Sequence, residues 1–371
     1  MELDVVISTA LQYNASDRFR DATSFKDALL SAARKTGILH AVSTPTATIT
    51  QSYDVKSLWT FECEDEIRGS ATYHDGVIYV GSYDNNLYAL NSATGEFIWK
   101  YAAEGSIVSK PSVYENNVYF GSEDNRLHVV SPRSGRVVWT YYADGPIRSS
   151  PSVKERHVIL GSDDGHLHII NASTGRKVQN IDMGAPIRST PLVSDSLIYF
   201  GTESGDFFCV DFRGKVKWRV RAKRAVTSSP SIYKDIVYYG SADGHVYAVD
   251  AKSGWSIWRF RMSRGTISSP FIHEDSLFIG SADGSIYAVD TQKSKEKWRF
   301  PTEDQVASSP LIVNNSLYCG SVDGNLYCLD YQTGRLQWKF TTEGPIISTP
   351  IYHDGVIFIG SMDNRIYAVP A

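Results

Sequence analysis

Between residues 276 and 300, apolar and polar positions come in short runs broken by turn residues. Ser276-Leu277-Phe278-Ile279-Gly280-Ser281 reads as a strand, and Ala282-Asp283-Gly284 as a hairpin turn in which Gly supplies a positive φ. Ser285-Ile286-Tyr287-Ala288-Val289-Asp290 alternates as a second strand, and Glu296-Lys297-Trp298-Arg299-Phe300 reads as a third. A shorter extended run, Ser268-Ser269-Pro270-Phe271-Ile272, comes before them; proline has no amide to donate and suits a strand start. The segment predicts a four-stranded antiparallel sheet.

The same pattern recurs about every 40 residues, the spacing of propeller blades. A Gly-Ser or Gly-Thr pair marks it at Gly81, Gly121, Gly161, Gly201, Gly240, Gly280, Gly320 and Gly360. Trp59, Trp99, Trp139, Trp218, Trp258, Trp298 and Trp338 keep the same period, with Gln179 in the slot after Trp139. Pro111, Pro151, Pro191, Pro230, Pro270, Pro310 and Pro350 form a third series, opened by Ala71. A single such sheet cannot bury both faces, whereas eight arranged radially cover one another. The expected fold is all-β, an eight-bladed β-propeller over residues 58–371, with the tryptophans packed between blades. The phase of the repeat also predicts its closure. A lone strand stands first, at Leu58–Phe61, and the last unit lacks its fourth strand. Pairing of Leu58–Phe61 with Arg365–Val369 would join the chain ends and remove a bare edge. Deletion of residues 52–62 is then expected to destabilise the whole ring.

Residues 1–36 break the repeat. Leu3, Val6, Ile7, Ala10 and Leu11 share one helical face; Asn14-Ala15-Ser16-Asp17 reads as a turn. Thr23 or Ser24 can cap a second helix whose apolar face holds Phe25, Ala28 and Leu29. Residues 37–57, with Ser, Thr, Ala and a single Pro45, read as a flexible linker.

Composition narrows the function. The net charge of −4 gives no basic field for nucleic acid. No segment is long and apolar enough to span a bilayer. The start, Met1-Glu2-Leu3-Asp4, lacks the basic region of a signal peptide, so a cytoplasmic protein without membrane or nucleic-acid partners is expected. Cys63, Cys209, Cys319 and Cys328 are unpaired in sequence and read as reduced, small apolar residues.

The string Gly240-Ser241-Ala242-Asp243-Gly244-His245-Val246-Tyr247-Ala248-Val249-Asp250-Ala251-Lys252-Ser253-Gly254, followed by Trp258, resembles the repeat of pyrroloquinoline-quinone (PQQ)-like, quinoprotein-type propellers, and similar strings cover residues 58–371. That resemblance implies the fold. It brings PQQ and Ca²⁺ as candidate cofactors, but the secretory signal, adjacent cysteine pair and long insertions of quinoprotein dehydrogenases are missing. No cofactor and no enzyme activity are therefore expected. Residues 3–29 (Leu3–Leu11, Asp17-Arg18-Phe19-Arg20-Asp21-Ala22, Phe25 and Ala28-Leu29) resemble the end of a bacterial-type serine/threonine protein kinase domain, in which the Arg at position 18 would pair with an upstream Glu. The Gly-rich loop, His-Arg-Asp and Asp-Phe-Gly strings of a kinase do not occur, so the chain is not expected to phosphorylate. The resemblance implies a kinase domain in cis or from an adjacent gene; an unrelated helical cap is the other reading of these residues.

Four sets of candidate residues remain. Asp84, Asp124, Asp164, Asp243, Asp283, Asp323 and Asp363 recur in turns, where carboxylates bond nearby amides rather than metals. The histidines, among them His166 and His168, show no ligand spacing. In the slot three residues before the proline series stand Arg68, Val108, Arg148, Arg188, Thr227, Ile267, Ala307 and Ile347, with Lys110 beside it in the second blade. This strand should be innermost, so Arg68, Lys110, Arg148 and Arg188 would make a lopsided, anion-attracting channel mouth. Replacing Arg148 and Arg188 with Ala would then abolish ligand binding. Arg219, Arg221, Lys223, Arg224, Arg259, Arg261 and Arg264 form a second basic group, a solvated face or a protein-docking surface. The expected function is a non-catalytic propeller that binds a protein partner or small anion, attached to kinase-type signalling. The alternative is a scaffold like the propeller lipoprotein of outer-membrane barrel assembly, although that protein carries a lipid-modified cysteine near its start and Cys63 is the first here.

Overall fold

The computed structural model describes residues 2–12, 24–25, 28–29, 32 and 55–371. It divides into two units, residues 1–48 and 49–371. In the first, α1 spans Glu2–Ala10, the first of the expected helices. Ser24, Phe25, Ala28, Leu29 and Ala32 are also helical, at the place of the second. The turn at 14–17, the rest of that second helix and the linker up to residue 54 lie outside the described residues.

The second unit carries thirty-two strands, β1–β32 in chain order, in eight four-stranded antiparallel sheets. Blade one consists of β2 (Thr72–His74), β3 (Val77–Gly81), β4 (Asn86–Asn91) and β5 (Phe97–Ala102). A bulge between Ala89 and Leu90 bends the outer pair. First strands of neighbouring blades touch, as Thr72–His74 does with Ser112–Tyr114 and Ile351–His353, and these strands form the innermost layer around a channel.

Closure follows the expected route. Blade eight is built from β30 (Ile351–His353), β31 (Val356–Gly360) and β32 (Arg365–Pro370), with β1 (Trp59–Glu62) as its outer strand. Trp59 pairs with Ala368 and Glu62 with Arg365, so the strand begins one residue later than expected. The first strand of blade six is also shorter than its sequence suggested. It runs Phe271–His273, after the proline rather than through it. The amide of Ser269 is spent on the Ser309 hydroxyl of the next blade, at 2.9 Å, so it cannot join a ladder within its own blade.

The core is a set of seams between blades. At the seam of blades eight and one, Ile67, Ile78, Val80, Leu90, Phe358 and Ile366 are buried together, with Trp59 and Phe61 against them. The marker glycines are fixed by these seams. A Cβ on Gly81 would lie 2.3 Å from the Cγ2 of Ile107 in blade two, and one on Gly360 2.3 Å from that of Ile67 in blade one. Trp59, Trp99, Trp218, Trp258 and Trp298 each donate the indole N–H to a carbonyl of the next blade, whereas Trp139 packs its ring on Gly175 of the next blade with its indole N–H unpartnered. The Trp99 indole donates to the carbonyl of Pro132 at 2.9 Å, and its ring leaves no space for a side chain at Gly135. Where Gln179 replaces tryptophan, Ile181 takes over that contact with Gly214.

Candidate ligand site in the central channel

The residue just before each proline marker faces the channel. Going round, these are Ser70, Lys110, Ser150, Thr190, Ser229, Ser269, Ser309 and Thr349, and they line a space of about 280 Å³ with Phe271, Pro270 and Pro310. The ring is stitched blade to blade. The amides of Lys110, Thr190, Ser229, Ser269 and Thr349 donate to the hydroxyls of Ser150, Ser229, Ser269, Ser309 and Ser70, each at 2.9 Å. A serine oxygen that accepts one of these bonds keeps its own O–H to donate into the channel. Lys110 is the one charged member. Its side chain is exposed to the channel, yet the surrounding blades crowd it, and this desolvation draws its pKa below the ordinary lysine value. Among the described residues no carboxylate pairs with it.

Arg68, Arg148 and Arg188 lie at the channel mouth, but carboxylates already hold them. Arg148 binds Glu123 at 2.7 Å and also Asp163. Arg188 grips Asp163 at 2.9 Å and Glu203 at 3.1 Å. Arg68 pairs with Glu66 at 2.8 Å and lies over the Tyr83 ring. Glu123, Asp163 and Glu203 follow the Gly-Ser or Gly-Thr markers of blades two to four, a slot that carries Ala242, Ala282, Val322 and Met362 on blades five to eight. The mouth is thus half ionic and half apolar, with Ile267 58% exposed on the apolar side. The excess positive charge expected there is offset, and removing Arg148 together with Arg188 would strip Asp163, a largely buried carboxylate, of its partners. In the second basic group, Arg219 and Arg221 both bind Asp206, at 2.6 and 2.8 Å.

The recurrent aspartates are latches. Asp243 accepts from the amides of His245 and Lys223, each at 3.0 Å, and from the Tyr247 hydroxyl at 2.7 Å. These bonds tie the turn of one blade to the connection that enters it, and they pull the Asp243 pKa down against the opposing effect of burial. Asp124 and Asp164 bind His128 and His168 in place of tyrosine, at 3.0 Å. The exchange is paired across the seam. Phe260, Phe300 and Phe340 pack on Tyr287, Tyr327 and Tyr367, whereas Tyr101 and Tyr141 meet His128 and His168 with a 3.0 Å hydrogen bond. The shorter imidazole makes room for the extra hydroxyl.

Burial lowers the His168 pKa, against the pull of Asp164. The unfolded chain therefore takes up a proton that the folded one resists, and stability falls as pH drops below about 6.5. His168→Tyr alone should lower the melting temperature by crowding Tyr141. Tyr141→Phe/His168→Tyr should restore it and flatten the fall in stability between about pH 7 and 5. Melting curves over that range check this, and a double variant as unstable as the single one refutes the pairing.

The channel ring does not fit a quinone held against a metal ion. It offers hydroxyls and an ammonium, with no carboxylate or amide side chain to hold the cation. A larger hollow of about 400 Å³ lies between blades three and four, where Glu155, His157, Asp211 and Arg213 surround Val178 and Phe212. Asp211 is already engaged there by Lys217 at 2.7 Å.

Residues 43–277 match the family model described as "Beta-alanine-activating enzyme, beta-propeller", and residues 298–371 match one described as "Outer membrane protein assembly factor BamB". No curated protein matches the chain in sequence. Among solved structures, BamB from Moraxella catarrhalis is 15% identical and covers 85% of this chain and 100% of its own, with a TM-score of 0.75. Sqt1 from Saccharomyces cerevisiae is 14% identical, covering 86% and 100% at 0.75. A europium-containing methanol dehydrogenase is 13% identical, covering 85% and 93% at 0.73. At such identities the likeness is one of fold. The chain is an eight-bladed propeller of PQQ-like repeats, and it belongs to the family described as the β-propeller of beta-alanine-activating enzyme.

Proposed function

We propose that this chain is a non-catalytic binding propeller, a scaffold that docks a protein partner in the cytoplasm at the channel mouth. The divided chemistry of that mouth carries the reading. Arg68, Arg148 and Arg188 with their carboxylates form a fixed polar half, and Ile267, Ala307 and Ile347 with Val322 and Met362 form an apolar half. Such a surface suits a partner with both an apolar anchor and polar contacts. BamB, an outer membrane protein assembly factor, shares the fold. The kinase-tail resemblance of residues 3–29 favours a signalling form of this reading, in which the propeller is the sensory module of a kinase-type protein; α1 and the helical residues near Phe25 supply helix where that resemblance needs it.

Affinity purification from the native host tests the docking face. Ile267→Asp should lose a partner that co-purifies with the wild type by about tenfold or more. Trp255→Asp, just before an outermost strand and 78% exposed, should retain it. Equal retention by both variants overturns the docking face. Turnover of an alcohol with a reducible dye, on addition of PQQ and Ca²⁺, overturns the non-catalytic reading.

A further inference from the structure

We propose that Lys110 and the surrounding hydroxyls form a binding site for a small monocarboxylate in the central channel. The site is separate from the docking face and stands independently of it. The first argument is the exception at one position of an otherwise regular ring. Seven blades place Ser or Thr before the proline marker, and blade two alone places Lys. This departure has a structural cost. A serine at 110 would offer the Ser70 amide the hydroxyl acceptor that Thr349 and Ser229 find in their neighbours. It would also avoid crowding an ammonium inside the ring. Where a sequence breaks its own rule at such a cost, function is the usual reason.

The second argument is chemical. A lone ammonium beside serine hydroxyls, each with a proton left to donate, presents donors to an anion from several directions. The nearest hydroxyls around the ring are those of Ser70 and Ser150. Charge selects the class of anion. The ring supplies one positive charge, and the mouth adds none, because its three guanidinium groups are set against Glu66, Glu123, Asp163 and Glu203. A carboxylate is balanced by this site, whereas the second charge of a phosphate has no partner. The remaining space of the 280 Å³ cavity is bordered by hydroxyls and by Phe271, which suits a short carboxylic acid bearing a hydroxyl group.

Titration calorimetry of the whole chain with acetate, lactate and inorganic phosphate tests the site, together with Lys110→Ser. The variant should fold with an unchanged or higher melting temperature, because seven blades already carry a hydroxyl there. Wild type should bind lactate in a saturable way, about tenfold more tightly than phosphate, and Lys110→Ser should lose that binding by about tenfold or more. Equal lactate binding by a folded Lys110→Ser overturns the placement. Phosphate binding as tight as lactate overturns the carboxylate assignment, and no saturable binding of any of the three overturns the site.

Discussion

Gly161→Ala should lower the melting temperature of the propeller by about 6 °C, corresponding to about 3 kcal/mol at roughly 2 °C per kcal/mol for a domain of this size. A methyl group there would sit 2.2 Å from the Cγ2 of Ile187 and 2.6 Å from its carbonyl oxygen. Ile187 is fully buried at the seam of blades three and four and cannot swing away. The blades would have to part. Gly161→Ala/Ile187→Ala removes the Cγ2 contact but leaves the Cβ of residue 187 at 2.5 Å and its carbonyl oxygen at 2.6 Å, so it should not return the protein to wild-type stability. Gly184→Ala is a useful contrast, because nothing lies within 4 Å of a Cβ there and only its φ of +73° opposes the change; it should cost about 1 kcal/mol. Melting followed by circular dichroism ranks the variants, and a Gly161→Ala midpoint within error of wild type would show that the seam yields.

A larger loss is expected from deleting residues 52–62. This removes β1, exposes the edge of β32 and strips Phe358 and Ile366 of the packing of Trp59 and Phe61. The Trp59 indole also donates to the carbonyl of Ser92 in blade one, at 3.0 Å, so the seam loses a bridge as well as a strand. Burial of two large aromatic residues is worth about 3–5 kcal/mol each, and a free edge invites pairing with other copies. The deleted protein should melt more than about 10 °C below wild type and associate during size-exclusion chromatography. Trp59→Ala/Phe61→Ala, which keeps the strand, should fall between the two. An unaltered melting temperature on deletion would show that the ring does not depend on this closure.

Blade count, closing strand and tryptophan bridges were all legible because the repeat writes each of them seven or eight times. What repetition cannot show is the use of an amide. Ser269 reads as a strand residue in sequence, yet its N–H crosses to Ser309 of the next blade. The hydroxyl ring is hidden in the sequence for a related reason. Serine beside proline is ordinary loop chemistry, and only the channel makes eight such positions one surface. The partners of Arg148 do not stand out in the sequence because Glu123 lies 25 residues before it, and Asp163 15 residues after it. The first spacing crosses a blade boundary, and neither matches a local motif. In the sequence Lys110 is a neighbour of the arginine slot, whereas its meaning comes from the seven residues that differ from it.

Because its first and last segments share blade eight, the array has no terminal unit. Open stacks of repeats fray from their ends, and their outer members exchange amide hydrogens sooner than their middle ones. A closed circle denies unfolding that starting point. Amide protection should therefore be nearly level from blade to blade, and the first rupture, wherever it falls, should be the hardest.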